Sequence, residues 1–265
     1  MCRLAGYVGR EPLPLSALLY EPVHSLEHAS YAPRELLSGT INVDGTGAAW
    51  WPEDGSGPLR YVTSDPPWAD PNLPGLAPYL RGTTMLAAVR SATPGMPYGP
   101  DNVAPFVADG LAGAHNGRIG GFRGSLGRTL LGGLDDDRFG QLTAMNDSLA
   151  LFLMVVQQID GQAGAPLSDA VTIVIQRTAK AVIAAGEVAT LNLVVASSVE
   201  IVAVRTSAGD AINSLYTRTT AEGSWLASEP LDNDTGWASM PKHSLAVLTT
   251  SGIDIRPIEH EGAAA

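Results

Sequence analysis

The chain carries one cysteine, Cys2, among 265 residues. A single thiol excludes an intramolecular disulfide framework and any zinc site built from several cysteines. Long apolar runs are missing too. The longest near the middle, Leu149–Val156, falls far short of the roughly 20 residues a membrane helix needs. The N-terminus, MCRLAGYVGREP, has neither the charged start nor the long apolar centre of a signal peptide. These absences lead us to expect a soluble, cytoplasmic protein with no membrane partner. Basic charge is scarce: 16 Lys and Arg stand against 27 Asp and Glu, a net charge of −11. That field repels a phosphate backbone and no basic cluster offsets it, which argues against nucleic acid as a partner. No P-loop, dinucleotide fingerprint, G-x-S-x-G or H-E-x-x-H motif is present, so those enzyme classes lack support.

What is present suits a globular core, with 45% hydrophobic residues in a length that allows one large domain or two small ones. No linker marks a boundary, so residues 2–258 read as a single domain and 259–265 as a tail expected to fray. Strands are expected at 3–8, 39–51, 83–90 and 111–116, with a short helix at 13–20 and a glycine-rich loop from the fourth strand to about 133. Two long helices follow. Asn146–Ile159 is apolar nearly all round, as for burial between layers. Residues 167–185 repeat apolar positions at helical spacing, and Gly186 makes a plausible stop. Strand patterns return at 189–196, 200–206, 212–218, 224–228 and 244–250. Strands, two helices and more strands suggest two sheets with helices packed outside or between them. His24 and His28 have the i,i+4 spacing of metal ligands, but Pro22 and Pro33 bracket them, so we read a polar loop and no metal.

Four features could carry chemistry, and each has a bland alternative. Cys2 follows the initiator methionine, whose removal would leave an α-amine on the residue that bears the thiol. That amine titrates at roughly 7.7–8.0 and could serve as general base; the alternative is a chance cysteine in a first strand. Ala114-His115-Asn116-Gly117 could aim an Asn side chain and a Gly N–H at an oxyanion, though Asn-Gly is also a common hairpin turn. Arg90 leaves an apolar run for the loop Ser91-Ala92-Thr93-Pro94-Gly95, placed either to hold a carboxylate or to form a structural ion pair. Asp147 opens the apolar helix, as an N-cap or as a receptor for an ammonium group.

In combination and in this chain order, the four resemble the glutaminase domain of the class II (N-terminal nucleophile) glutamine amidotransferases. The resemblance spans essentially the whole chain and implies an α+β fold, a four-layer αββα sandwich of two antiparallel sheets. It implies Cys2 as nucleophile and Asn116 with Gly117 as oxyanion hole. It places Arg90, Thr93, His115 and Asp147 on the substrate side, Arg90 holding an α-carboxylate and Asp147 an α-ammonium group. It implies no cofactor and no metal. Departures are Ser91 and Pro94, where an aromatic and a histidine are frequent. The chain also ends where a synthase domain would begin, which makes ammonia transfer to an attached site an unlooked-for outcome.

The segments MCRLAGYVG, SYAPRELLSGTINVDGTG, AAVRSATPGMP and LASEPLDNDTGW are similar to the stand-alone γ-glutamyl hydrolases of bacterial ergothioneine biosynthesis. That similarity implies hydrolysis of a small γ-glutamyl substrate, γ-glutamyl-hercynylcysteine S-oxide, through a thioester. Asn42–Gly47 matches less closely, and Ser228-Glu229-Pro230 matches with a structural role left open. Trp50, Trp51, Trp68 and Tyr98 could line the amine side or pack in the core. The rivals are a glutaminase subunit feeding a separate synthase, an acylase with an N-terminal cysteine, and a non-catalytic γ-glutamyl-binding protein. Whether the chain forms a homo-oligomer is left open.

Overall fold

The computed structural model describes residues 2–37, 39–92, 98–162, 164–209 and 211–263. The first half runs β1 (Arg3–Pro14), α1 (Ser16–Leu19), α2 (Leu26–Tyr31), β2 (Thr46–Trp51), β3 (Leu59–Thr63), α3 (Leu73–Leu76) and β4 (Arg81–Val89). A hairpin of β5 (Phe106–Ala108) and β6 (Leu111–Ile119) leads to α4 (Ser125–Leu131), α5 (Asp136–Gly140), α6 (Asp147–Asp160) and α7 (Leu167–Ala184). Then come β7 (Ala189–Ala196), β8 (Glu200–Arg205), β9 (Ser207–Ala208), β10 (Tyr216–Thr219) and β11 (Gly223–Ala227). The last strands are β12 (Ala238–Ser239), β13 (Ser244–Thr249) and β14 (Gly252–Pro257).

The strands form two antiparallel sheets. One has the order β12-β10-β11-β1-β4-β2-β3; the other has the order β14-β13-β8-β7-β6-β5, with β9 paired to β7. Three apolar layers follow from strands that bury both faces. Leu4, Val8, Leu86, Ala112, Ala114, Val194 and Ile201 fill the space between the sheets. Ala5, Tyr7, Met85 and Ala87 point the other way, under Leu18, Leu19 and Leu26 of the short helices. Leu191, Leu193 and Val195 face α6 and α7 on the outside of the second sheet. The result is the expected αββα sandwich.

α6 forms where expected because Asn146 caps it, its Oδ1 accepting from the N–H groups of Ser148 and Leu149. Phe152 then packs so tightly on β6 that a Cβ at Gly113 would lie 2.3 Å from its ring. Other expectations needed correction. Of 39–51 only Thr46–Trp51 is strand, because Asn42 and Asp44 give their N–H groups to the carbonyls of Ser30 and Arg90. Of the expected helix 13–20 only Ser16–Leu19 is helical, since Leu13 and Pro14 pair with β4. The supposed loop after β6 contains α4, whose Leu126, Leu130 and Leu131 join the core beneath α6 and α7. His28 lies in α2, capped by Ser25, and His24 bonds Asn233. Of 212–218 only Tyr216 onward is strand. No helix among the described residues is long and apolar enough to cross a membrane.

Gly113→Ala should force the Phe152 ring out of place, an overpacking effect of about 1–3 kcal/mol. At roughly 2–4 °C per kcal/mol for a chain of this size, its melting temperature should drop by several degrees; an unchanged melting curve would refute the tight α6–β6 contact.

Candidate active site

Cys2 stands immediately before β1, which lies between β11 and β4. Arg3 pairs with Val89, so one step further along the register sets Cys2 beside Arg90. The Cys2 Sγ lies 3.9 Å from the carbonyl oxygen of Ser91. Side chains alternate along a strand, so Cys2 shares the inter-sheet face with Leu4, and Arg3 takes the opposite face. There Arg3 is almost wholly buried, its Nη1 3.2 Å from Glu229 Oε1. Burial pulls the guanidinium below its usual pKa, and the Glu229 carboxylate pulls it back up. Glu229 also accepts the N–H groups of Arg34 and Glu35, at 2.8 and 3.1 Å.

Arg90 follows β4 and is buried, with its N–H on the carbonyl of Gly45 and its own carbonyl accepting from Asp44. The Asp44 carboxylate in turn accepts the N–H of Ala92 at 2.7 Å. Thr93, expected beside it, lies outside the described residues, as does Met1. A cavity opens between the sheets and the start of α6. Cys2, Arg90, His115, Gly117 and Asp147 line it, together with Asn102.

His-Asn-Gly is no hairpin turn: it lies within β6, with Gly117 opposite Leu191. The Leu191 N–H goes to the carbonyl of Thr206, away from β6. In an antiparallel pair the two opposed residues either exchange both hydrogen bonds or turn both away. Gly117 therefore points its N–H away from β7, toward the edge where pairing with β5 stops at Gly113. Two residues on, Ile119 uses that same edge to donate its N–H to Asp147 Oδ2 at 2.9 Å. Gly is required at 117, because a Cβ would sit 2.0 Å from the carbonyl oxygen of Thr190 and 2.4 Å from His115 Nε2.

Asp147 is the first residue of α6, not its cap, and its other oxygen lies 3.2 Å from Ser148 Oγ. Asn116 does not line the cavity. It is fully buried on the same face of β6 as Ala112 and Ala114, with Nδ2 3.4 Å from Ser228 Oγ. His115 turns to the opposite face and is committed on both nitrogens. Nε2 meets the carbonyl of Thr190 at 2.9 Å and must carry the proton; Nδ1 lies 3.1 Å from Ser148 Oγ, whose single hydrogen goes either to Nδ1 or to Asp147. Burial is the largest influence on the ring and holds its pKa below the usual value, against the opposing pulls of Asp147 and the Thr190 carbonyl. Of the aromatics, Trp50 and Trp51 are core residues. Trp68 and Tyr98 are exposed, bonded to Ser30 and to the carbonyl of Ser64.

Sequence reasoning did not single out Asn102, Asn213 or Asn192. Asn102 accepts from the Nδ2 of the capping Asn146 at 3.2 Å. Asn213 donates to Asn116 from a segment expected to be strand. No pattern in the chain marks such polar pairs, since their partners are 44 and 97 residues away.

Solved structures define the class to which this fold belongs. A glutamine aminotransferase class-II domain protein from Silicibacter pomeroyi superposes with a TM-score of 0.70 at 22% identity, covering 97% of this chain and 100% of its own. The glutamine phosphoribosylpyrophosphate amidotransferase of B. subtilis matches with a TM-score of 0.68 at 17% identity, over 97% of this chain and 49% of that one. The fold is that of the N-terminal nucleophile glutamine amidotransferases. No family model matches the chain. The gamma-glutamyl-hercynylcysteine sulfoxide hydrolase of Mycobacterium tuberculosis (strain CDC 1551 / Oshkosh) is 31% identical over 259 residues, 98% of this chain and 97% of the relative. That of Mycolicibacterium smegmatis is 31% identical over 261 residues, 97% of this chain and 100% of the relative. The chain belongs to this hydrolase family and is an amidohydrolase.

A buried His with a lowered pKa stays neutral in the fold while the unfolded chain takes up a proton near pH 6.5. Its contribution is therefore complete above about pH 6.5 and is lost as the pH falls below that value. Melting temperatures from pH 8 to pH 5 should fall less steeply for His115→Gln than for the wild type; parallel curves would show that His115 takes up its proton without cost to the fold.

Proposed function

We propose that the chain hydrolyses the γ-glutamyl amide of γ-glutamyl-hercynylcysteine sulfoxide, with Cys2 as nucleophile after removal of Met1. The observation that carries this reading is one cavity lined by Cys2, Arg90, Gly117 and Asp147, residues 2 to 147 in sequence and from four different segments. The relatives' name supplies the amine half of the substrate. In this scheme the α-amine of Cys2 accepts the thiol proton as sulfur attacks the γ-carbonyl carbon. The Gly117 N–H, turned from the sheet, and the Asn116 amide stabilise the tetrahedral oxyanion. The amine departs with the proton from the N-terminus, leaving a γ-glutamyl thioester on Cys2. Water, deprotonated by the same amine, then cleaves the thioester and releases glutamate.

Arg90 and Asp147 hold the zwitterionic head in this scheme. Asp147 is suited to it because the Ile119 N–H already fixes its carboxylate, so little ordering remains for the substrate to impose. A site with two opposite charges should reject ligands that lack either partner, since one buried charge would stay unpaired. The protein acts in the cytoplasm on a small molecule.

Intact mass and glutamate release test the reading together. We expect loss of Met1, release from γ-glutamyl-hercynylcysteine sulfoxide by the wild type, and none by Cys2→Ala. Efficient release from glutamine would turn the assignment toward ammonia supply, and unchanged release by Cys2→Ala would end it. Arg90→Met and Asp147→Asn should each cut kcat/KM by roughly 30–5,000-fold, the range for one lost buried charged contact. Wild-type values for both variants would place the zwitterion elsewhere.

A further inference from the structure

Three buried polar residues outside the cavity lining connect Asn116 to the strand that follows the nucleophile. Asn116, Asn192 and Asn213 are fully buried and Ser228 is 1% exposed. Their hydrogen bonds settle which way round the Asn116 amide sits. The backbone carbonyl of Asn116 can only accept, and Asn213 Nδ2 donates to it at 2.9 Å. The same Nδ2 lies 3.3 Å from Asn116 Oδ1. A reversed Asn116 amide would set two NH2 groups against each other in a buried place, with no acceptor between them. Oδ1 must therefore face Asn213, and Nδ2 must face Ser228.

Ser228 marks the side of the nucleophile. Its Oγ accepts the N–H of Leu4 at 3.0 Å, and its own N–H goes to the Leu4 carbonyl at 2.9 Å. Asn116 Nδ2 reaches that Oγ at 3.4 Å, which occupies one of its two hydrogens. Asn213 is itself fixed: its carbonyl accepts from Asn192 Nδ2 at 3.1 Å and from Arg205 Nε at 2.9 Å. Asn192 stands opposite Asn116 in the β6–β7 register. Ser214 closes the ring by donating its hydroxyl to the Ser228 carbonyl at 2.7 Å.

We infer that Asn213 and Ser228 are positioning residues for the reaction: they lock the Asn116 amide with Nδ2 toward Cys2, so that it meets the oxyanion as a donor. The inference rests on Asn116 serving the oxyanion. Asn213 and Ser228 do not touch the substrate; they act through Asn116.

The test is a double-mutant cycle on glutamate release from γ-glutamyl-hercynylcysteine sulfoxide, with thermal melting as a check on folding. Asn116→Ala should lower kcat by roughly 100–1,000-fold, the loss typical of one oxyanion donor. Asn213→Ala should lower kcat with KM within about threefold, and the double variant should be no slower than Asn116→Ala alone. Asn213→Asp keeps the shape but replaces the donor by an acceptor. Its rate relative to wild type should recover as the pH is lowered, because the protonated carboxyl can donate again. A merely structural role would give neither the non-additivity nor that pH dependence. If the losses multiply in the double variant, or if the Asn213 variants keep wild-type kcat while Asn116→Ala loses it, positioning by Asn213 is overturned and the oxyanion reading stands. If Asn116→Ala itself keeps wild-type kcat, both fall. Should the Asn213 variants not fold, Ser228→Ala in the same cycle decides by the same criteria.

Discussion

The pairing of Arg3 with Glu229 is the interaction on which the rest of the site depends. An arginine buried one residue after Cys2 is costly to desolvate, and it is tolerated because a carboxylate and its hydrogen bonds meet it. Glu229 does not meet Arg3 alone. By accepting the N–H groups of Arg34 and Glu35 as well, it ties the start of β1, the segment after α2 and the end of β11 into one buried knot. Because side chains alternate, anchoring Arg3 on the outer face obliges Cys2 to look inward, between the sheets. A slip of one residue would bring the guanidinium into the inter-sheet apolar layer and turn the thiol outward. The buried charge pair thus sets the register of a strand end that would otherwise be held only by its neighbours.

Much of the candidate site was legible in the sequence, because most of the residues that meet at one cavity belong to local patterns. Cys2 at the second position, the Arg90 segment, His115-Asn116-Gly117 and Asp147 are short motifs, and the two apolar helices announce themselves by period. The αββα order followed from the arrangement of strands and helices together with the resemblance. What was not legible depends on distant contacts. α4 was hidden by its glycines, and it forms because Leu126, Leu130 and Leu131 find a core to enter. β3 and β14 are only five and six residues long and largely solvent-facing, so they carry no strong apolar alternation. Asn213 and Ser214 looked like strand, yet their side chains are used to bind Asn116 and the Ser228 carbonyl. His115 was grouped with the substrate-side residues, whereas both its nitrogens are taken by Thr190 and Ser148.

The two faces of β6 divide the labour at this site. One presents Asn116 to the inter-sheet layer; the other sends His115 beneath α6, where it meets Ser148 beside Asp147. The strand and the helix N-terminus are thereby fixed to each other through His115 and through the Ile119–Asp147 bond. The two residues proposed for oxyanion and ammonium thus belong to one rigid unit, although 30 positions separate Gly117 from Asp147.

β5 pairs with β6 only from Phe106 to Ala108, and the next residue back, Pro105, has no N–H to give to a ladder. Two or three more rungs would have brought backbone carbonyls along the edge that Gly117 and Ile119 occupy. Those carbonyls would have taken both N–H groups and roofed over the cavity. Instead the chain turns aside through the segment holding Asn102, which reaches the cap of α6. Sheet edges are usually hazards that proteins shield from sticking to other chains; here the edge that carries the Gly117 and Ile119 N–H groups sits inside the fold, beside the start of a helix. The length of one hairpin arm therefore separates an inert sandwich from one with a polar opening in its wall.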